Sequence, residues 1–158
     1  MNAAARGVSV EREIEIAASP ETVWKLLTLP GEVVHWMGCA ATFDLRPGGA
    51  FQVAVLPGST VSGEFVDIDP PKRLVYTWGW EDEDHPVPPG SSTVEFELAS
   101  RGTGTLLRLR HHHLPGAAAA ASHERGWAHY LPRLAVTAAG GDPGPDPWTT
   151  DPTSRPRS

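Results

Sequence analysis

The sequence predicts an α+β domain. A curved antiparallel sheet of six to seven strands wraps a long C-terminal helix, and two short helices follow the first strand. Three observations predict it. Segments of period-two alternation recur between residues 8 and 114 with short turns between them, the pattern of an antiparallel meander. Trp127, Tyr130, Leu131 and Leu134 fall at i, i+3, i+4 and i+7, one buried face of a helix. A sheet with one apolar face and a helix with one apolar stripe must both be covered, and packing one on the other covers both.

Residues 8–16 alternate. Val10, Arg12, Ile14 and Ile16 share the inward face, opposite Glu11, Glu13 and Glu15. Arg12 is the odd inward member, so it lies at the sheet rim or carries a charge inwards. Ser19-Pro20-Glu21 reads as a helix start, with an N-cap serine, proline in the first turn and an acid at the positive dipole end. Val23, Trp24, Leu26 and Leu27 give its stripe, and Pro30-Gly31 stops it. A second short helix is expected over 32–37, ending on Trp36.

Strands follow at 42–45, 50–56, 61–68, 74–80, 93–98 and 105–114. Gly63, Phe65 and Ile68 do not fit one phase, so a β-bulge is expected near Asp67. The acidic, proline-rich stretch 81–91 reads as an exposed loop. Ala117 to Ala121 opens the terminal helix, Pro132 should kink or loosen it, and Gly140-Gly141 ends it. Residues 1–7 are expected to be disordered. So is the proline-rich tail 140–158, whose only large apolar residue is Trp148.

Composition narrows the function classes. The chain has 158 residues, ordinary for one domain, with 40% hydrophobic and 20% charged residues. Its net charge of −6, with scattered basic residues, argues against a nucleic-acid partner. The single cysteine, Cys39, fits a reducing compartment and reads as a small semi-buried hydrophobe. The N-terminal residues lack the apolar core of a signal peptide, and no stretch is long and apolar enough to span a bilayer. A cytoplasmic location without a membrane partner is the expectation.

Several motifs, in order and at the right spacing, resemble a known family. They are Ala18-Ser19-Pro20-Glu21-Thr22-Val23-Trp24, then Trp36, then Asp44-Leu45-Arg46-Pro47-Gly48-Gly49-Ala50-Phe51. Gly63 to Arg73 with Leu74 and Trp78 follow, then Gly104-Thr105 with Leu107, and finally Gly126-Trp127 with Leu131 and Leu134. Over roughly residues 8–137 the chain resembles the SRPBCC superfamily (the START/Bet v 1-like helix-grip fold), in the branch named after the activator of the Hsp90 ATPase (AHSA1). The resemblance implies one AHSA1-like domain over 8–139, of the short bacterial type. It also implies a cavity between sheet and helix for a lipid, sterol, polyketide or aromatic molecule. Pro132 and the proline-rich tail depart from the pattern.

The candidate lining comes from the apolar-phased strand positions and the helical stripe. It comprises Trp36, Phe51, Val53, Tyr76, Trp78, Phe96, Leu109, His111, His113, Trp127, Tyr130 and Leu134. Within the run His111-His112-His113, the first and third share the inward phase and the second should face solvent. Two histidines at i, i+2 without a nearby cysteine or fixed carboxylate are no tight metal signature, so no metal and no cofactor are expected. The first reading is binding of an apolar or aromatic small molecule. The alternative is a cyclase-like or hydrolytic enzyme using His111 or His113. A chaperone- or regulator-associated interaction module ranks third, and a homodimer is compatible with each.

Overall fold

The structure is a computed structural model and describes residues 8–150. The disorder expected for residues 1–7 and 151–158 lies outside the described residues. Strand β1 (Val8–Ile16) is followed by helices α1 (Pro20–Thr28) and α2 (Pro30–Val33). Six strands come next: β2 (Ala40–Phe43), β3 (Ala50–Leu56), β4 (Ser59–Asp69), β5 (Arg73–Trp78), β6 (Ser92–Arg101) and β7 (Gly104–Leu114). Helix α3 (Ala117–Ala138) and a short α4 (Pro147–Thr150) complete the chain. The sheet is antiparallel in the order β1-β7-β6-β5-β4-β3-β2, so the first strand closes on the last.

The local signals act as read. Ser19 caps α1 by accepting from the Thr22 amide, and Pro20 occupies the first turn. Helix α2 is shorter than expected: it ends at Val33, and turns carry the chain to Trp36. The Trp36 indole is held by donating to the Leu26 carbonyl at 2.8 Å. The bulge expected near Asp67 lies between Phe65 and Asp67, which pair with the consecutive residues Tyr76 and Val75. It turns Val66 outward and leaves Phe65 buried.

A second bulge was not expected. Val8 pairs with Leu114 and Val10 with His111, so three steps along β7 face two along β1. The extra residue is absorbed at His113, which takes a positive φ of 65°. His113 therefore faces outward and Leu114 inward, which corrects the inward phase expected for His113.

The inner sheet face and the stripe of α3 share one core. The stripe runs Ala119, His123, Trp127, Tyr130, Leu131, Leu134 and Ala138. Arg12 ties β1 to the helix through an ion pair with Glu124. Helix α3 continues through Pro132, which was expected to kink or loosen it. Pro132 and Ala128 are both exposed, so the carbonyl that loses its helical partner can be hydrated. Pro132→Ala restores that hydrogen bond and should stabilise the fold by about 2 kcal/mol, read from urea unfolding. An unchanged midpoint would mean that the helix had already adjusted fully to the proline.

The segment after α3 departs most from expectation. Residues 142–150 pack back across the helix. Asp146 is buried, and Arg133 donates to the carbonyls of Pro143 and Gly144 as well as to that of Trp36. The scarcity of apolar residues, with Trp148 the one large exception, suggested disorder. Polar pairing to α3 and one indole hold the segment instead.

Candidate functional site

The aromatic-rich end of the sheet–helix interface is built from β5, the two residues that follow it, and α3. Tyr76, Trp78 and Trp80 point to the inner face at every second position. Gly79 lies between the two tryptophans because a Cβ there would stand 1.7 Å from the Pro88 carbonyl oxygen. That close approach folds part of the 81–91 loop back. Val87 is buried and His85 stacks on Trp80, while the acidic residues stay exposed. From the helix come His123, Trp127 and Tyr130.

Two imidazoles accept two indole protons. Trp127 Nε1 donates to His111 Nδ1 at 3.1 Å, and Trp80 Nε1 donates to His123 Nε2 at 3.1 Å. An indole nitrogen is donor only, so the accepting ring nitrogens carry no proton. His111 is therefore the Nε2–H tautomer and donates to Ser92 Oγ at 2.8 Å; Ser92 in turn donates to the Trp78 carbonyl. His123 is the Nδ1–H tautomer and donates to the Ala119 carbonyl at 2.8 Å. The rings meet edge to face, with centroids 4.8 Å apart. Burial pushes the His111 pKa well below its ordinary value, and His123 and His112 push the same way.

Trp78 sits at the centre, with Trp127 at 5.5 Å, His111 at 5.6 Å and Trp80 at 6.0 Å between ring centroids. Its indole is 3% exposed, and its Nε1–H has no acceptor among the described residues. Beside it lies an open space of about 30 Å³, lined by Met37, Val55, Trp78, Trp80, Ser122, His123, Gly126, Trp127, Tyr130 and Trp148. That holds about one water, whereas a site for a drug-sized ligand needs roughly 300 Å³. The roomy cavity expected between sheet and helix is thus almost filled by side chains.

Of the residues named from the sequence, Trp78, Trp127 and Tyr130 border this space, and His111 stands behind Trp78 and Trp127. Trp36, Phe51, Val53, Tyr76, Phe96, Leu109 and Leu134 are close-packed core. Phe51 stacks on Tyr76 at 4.0 Å, and burial raises the Tyr76 pKa. His113 lies outside, against Thr93 Oγ1. His112 is half-buried on the outer face, 2.6 Å from Glu95, rather than fully solvated. Cys39 is exposed, not semi-buried. His123 was missed, although it continues the stripe four residues before Trp127. Met37, Val55, Trp80 and Trp148 were missed too. Among the described residues, no three His, Cys, Asp or Glu side chains gather to hold a metal, and no helix is long and apolar enough to cross a membrane.

The comparisons with known proteins agree with this geometry. The family model described as Activator of Hsp90 ATPase homolog 1-like protein matches residues 17–139. The chain belongs to this family. No curated protein is significantly similar to the chain. Among solved structures, an AHSA1-like protein from Rhizobium etli is 46% identical with a TM-score of 0.71, over 90% of this chain and 88% of that one. CalU16 from Micromonospora echinospora is 27% identical with a TM-score of 0.68, over 84% and 77%. An Hsp90 activator from Plasmodium falciparum is 27% identical with a TM-score of 0.70, over 83% and 96%. The AHSA1-like helix-grip fold of the SRPBCC superfamily is thereby shown.

His111→Ala leaves the Trp127 indole without its acceptor and opens a cavity, which should cost about 3 kcal/mol of stability. The pH dependence has a definite sign. Below about pH 6.5 the unfolded chain takes up a proton at residue 111 that the folded chain refuses, so stability falls with pH. His111→Gln carries no such proton. The stability gap between the wild type and this variant should therefore narrow between about pH 7 and about pH 5, read from urea unfolding. A constant gap would contradict a suppressed His111 pKa.

Proposed function

We propose that this AHSA1-like domain binds a small, largely apolar or aromatic molecule beside Trp78, in the space between sheet and α3. The observation that carries the reading is the Trp78 Nε1–H. A buried donor without an acceptor is uncommon, because it forfeits about 1–3 kcal/mol of desolvation free energy. A ligand oxygen or aromatic nitrogen placed against it would supply the missing acceptor. The walls are mostly indole, phenol ring, methionine and valine, an apolar lining with a few polar groups from Ser122, His123 and the Trp78 N–H. The small resting volume requires that part of the lining move on binding.

An enzyme acting through His111 is disfavoured, since both ring nitrogens are engaged and proton transfer would break the indole contact. Chaperone stimulation is stated for the Plasmodium relative and is the competing reading for this chain.

The test uses 2-naphthol, which carries an acceptor oxygen, and naphthalene, which does not, with wild type and Trp78→Phe. The variant keeps an aromatic ring and loses the N–H. It should weaken 2-naphthol binding about fivefold and leave naphthalene binding unchanged. Equal effects on both probes would remove the orienting role of Trp78. A wild type that binds neither probe, nor any member of a broad lipophilic library, would overturn the reading in favour of an interaction module.

A further inference from the structure

The segment 142–150 reaches this space through Trp148, which borders it. The segment's polar contacts with α3 include His129 Nε2 to Asp146 Oδ1 at 2.8 Å, and Arg133 to the carbonyls of Pro143 and Gly144. Its one large apolar group is Trp148. That indole stacks on the His129 ring with centroids 3.7 Å apart and planes 10° apart, and meets Tyr130 edge-on at 5.6 Å. His129 and Tyr130 thus form a flat shelf with one upright side, matched to a planar bicyclic ring.

Trp148 differs from the other indoles around it. Trp78, Trp80 and Trp127 are 2–6% exposed, whereas Trp148 is only half-buried and borders the open space rather than filling the core. The shelf belongs to the family domain, but its occupant does not: the family model ends at residue 139. Pro143, Pro145 and Pro147 stiffen the arm, so seating it costs little chain entropy and releasing it gains little. The occupant is held by a ring stack on His129, an edge contact with Tyr130 and the polar contacts of its arm.

We infer that the His129–Tyr130 shelf is a ring-binding subsite for a planar, bicyclic aromatic ligand, and that Trp148 is the chain's own occupant, displaced when the ligand binds. This deepens the reading above and rests on it. A ring on the shelf opens onto the space beside Trp78, where its acceptor would meet the indole N–H. The ligand class is set by the shelf: a parallel stack favours a flat π-face, which an aliphatic chain lacks. Displacement of Trp148 also supplies volume that the resting space does not have.

The full chain is titrated with 2-naphthol and with 1-octanol as wild type, Trp148→Ala and Asp146→Ala. The first variant removes the occupant, and the second loosens its arm by removing the Asp146 contacts to His129 Nε2 and to the Trp148 amide. Both should tighten 2-naphthol binding about three- to tenfold, with a smaller gain for 1-octanol in Trp148→Ala. In wild type, 2-naphthol should shift the Trp148 indole N–H resonance towards its position in a solvated indole. If wild type binds 2-naphthol and Trp148→Ala binds it no better, Trp148 is a wall and the inference fails while the proposed function stands. Equal gains for octanol would overturn the aromatic assignment. Absence of 2-naphthol binding in all three forms would overturn both.

Discussion

A buried indole N–H must find an acceptor, and the aromatic end of this interface is organised around that requirement. Trp78 at the end of β5 and Trp80 just past it point inward, and α3 brings Trp127. The Trp36 indole uses a helix carbonyl, but for Trp80 and Trp127 side chains supply the acceptors. His111 on β7 and His123 on α3 do so for Trp127 and Trp80, and each passes its own proton on to Ser92 or to a helix carbonyl. The two pairs cross the gap between sheet and helix and so fix the register of one on the other. Trp78, between them, is the donor left over.

This arrangement changes what the histidine run means. From the sequence, His111-His112-His113 suggested a polar pocket end or a general base. In the fold, one bulge divides the run. His111 becomes a neutral structural acceptor, His112 joins Glu95 on the outer face, and His113 leaves the interior. Catalytic or ligand-binding roles for imidazoles need a nitrogen that can change partners, and His111 has none to spare.

The sequence carried the fold because its signals are local. Alternation marked the strands, Ser19-Pro20 marked the start of α1, and the awkward phase of Gly63, Phe65 and Ile68 marked the bulge at Val66. The site was less legible, because its contacts join distant segments. Nothing near His113 in sequence announces a bulge that arises from pairing with β1. Trp148 lies in a stretch whose composition argues for disorder, and its partner His129 is recognisable only once α3 is built. His123 was within reach, since it falls one turn before Trp127 on the same stripe. The volume of the cavity could not be read at all, because it depends on how four indoles and a tyrosine pack, and phasing fixes their direction but not their fit.

The most direct test of this account is the tautomeric state of the two buried histidines, read from long-range proton–nitrogen correlations in ¹⁵N-labelled protein. At about pH 7.5 the account predicts His111 as the Nε2–H form and His123 as the Nδ1–H form, with the His111 signals unchanged down to about pH 5. Opposite tautomers in one aromatic cluster would confirm that each imidazole accepts an indole proton. A His111 that carries its proton on Nδ1, or that titrates near its ordinary pKa, would contradict the account. It would break the chain from Trp127 to Ser92 and return His111 to the candidates for catalysis.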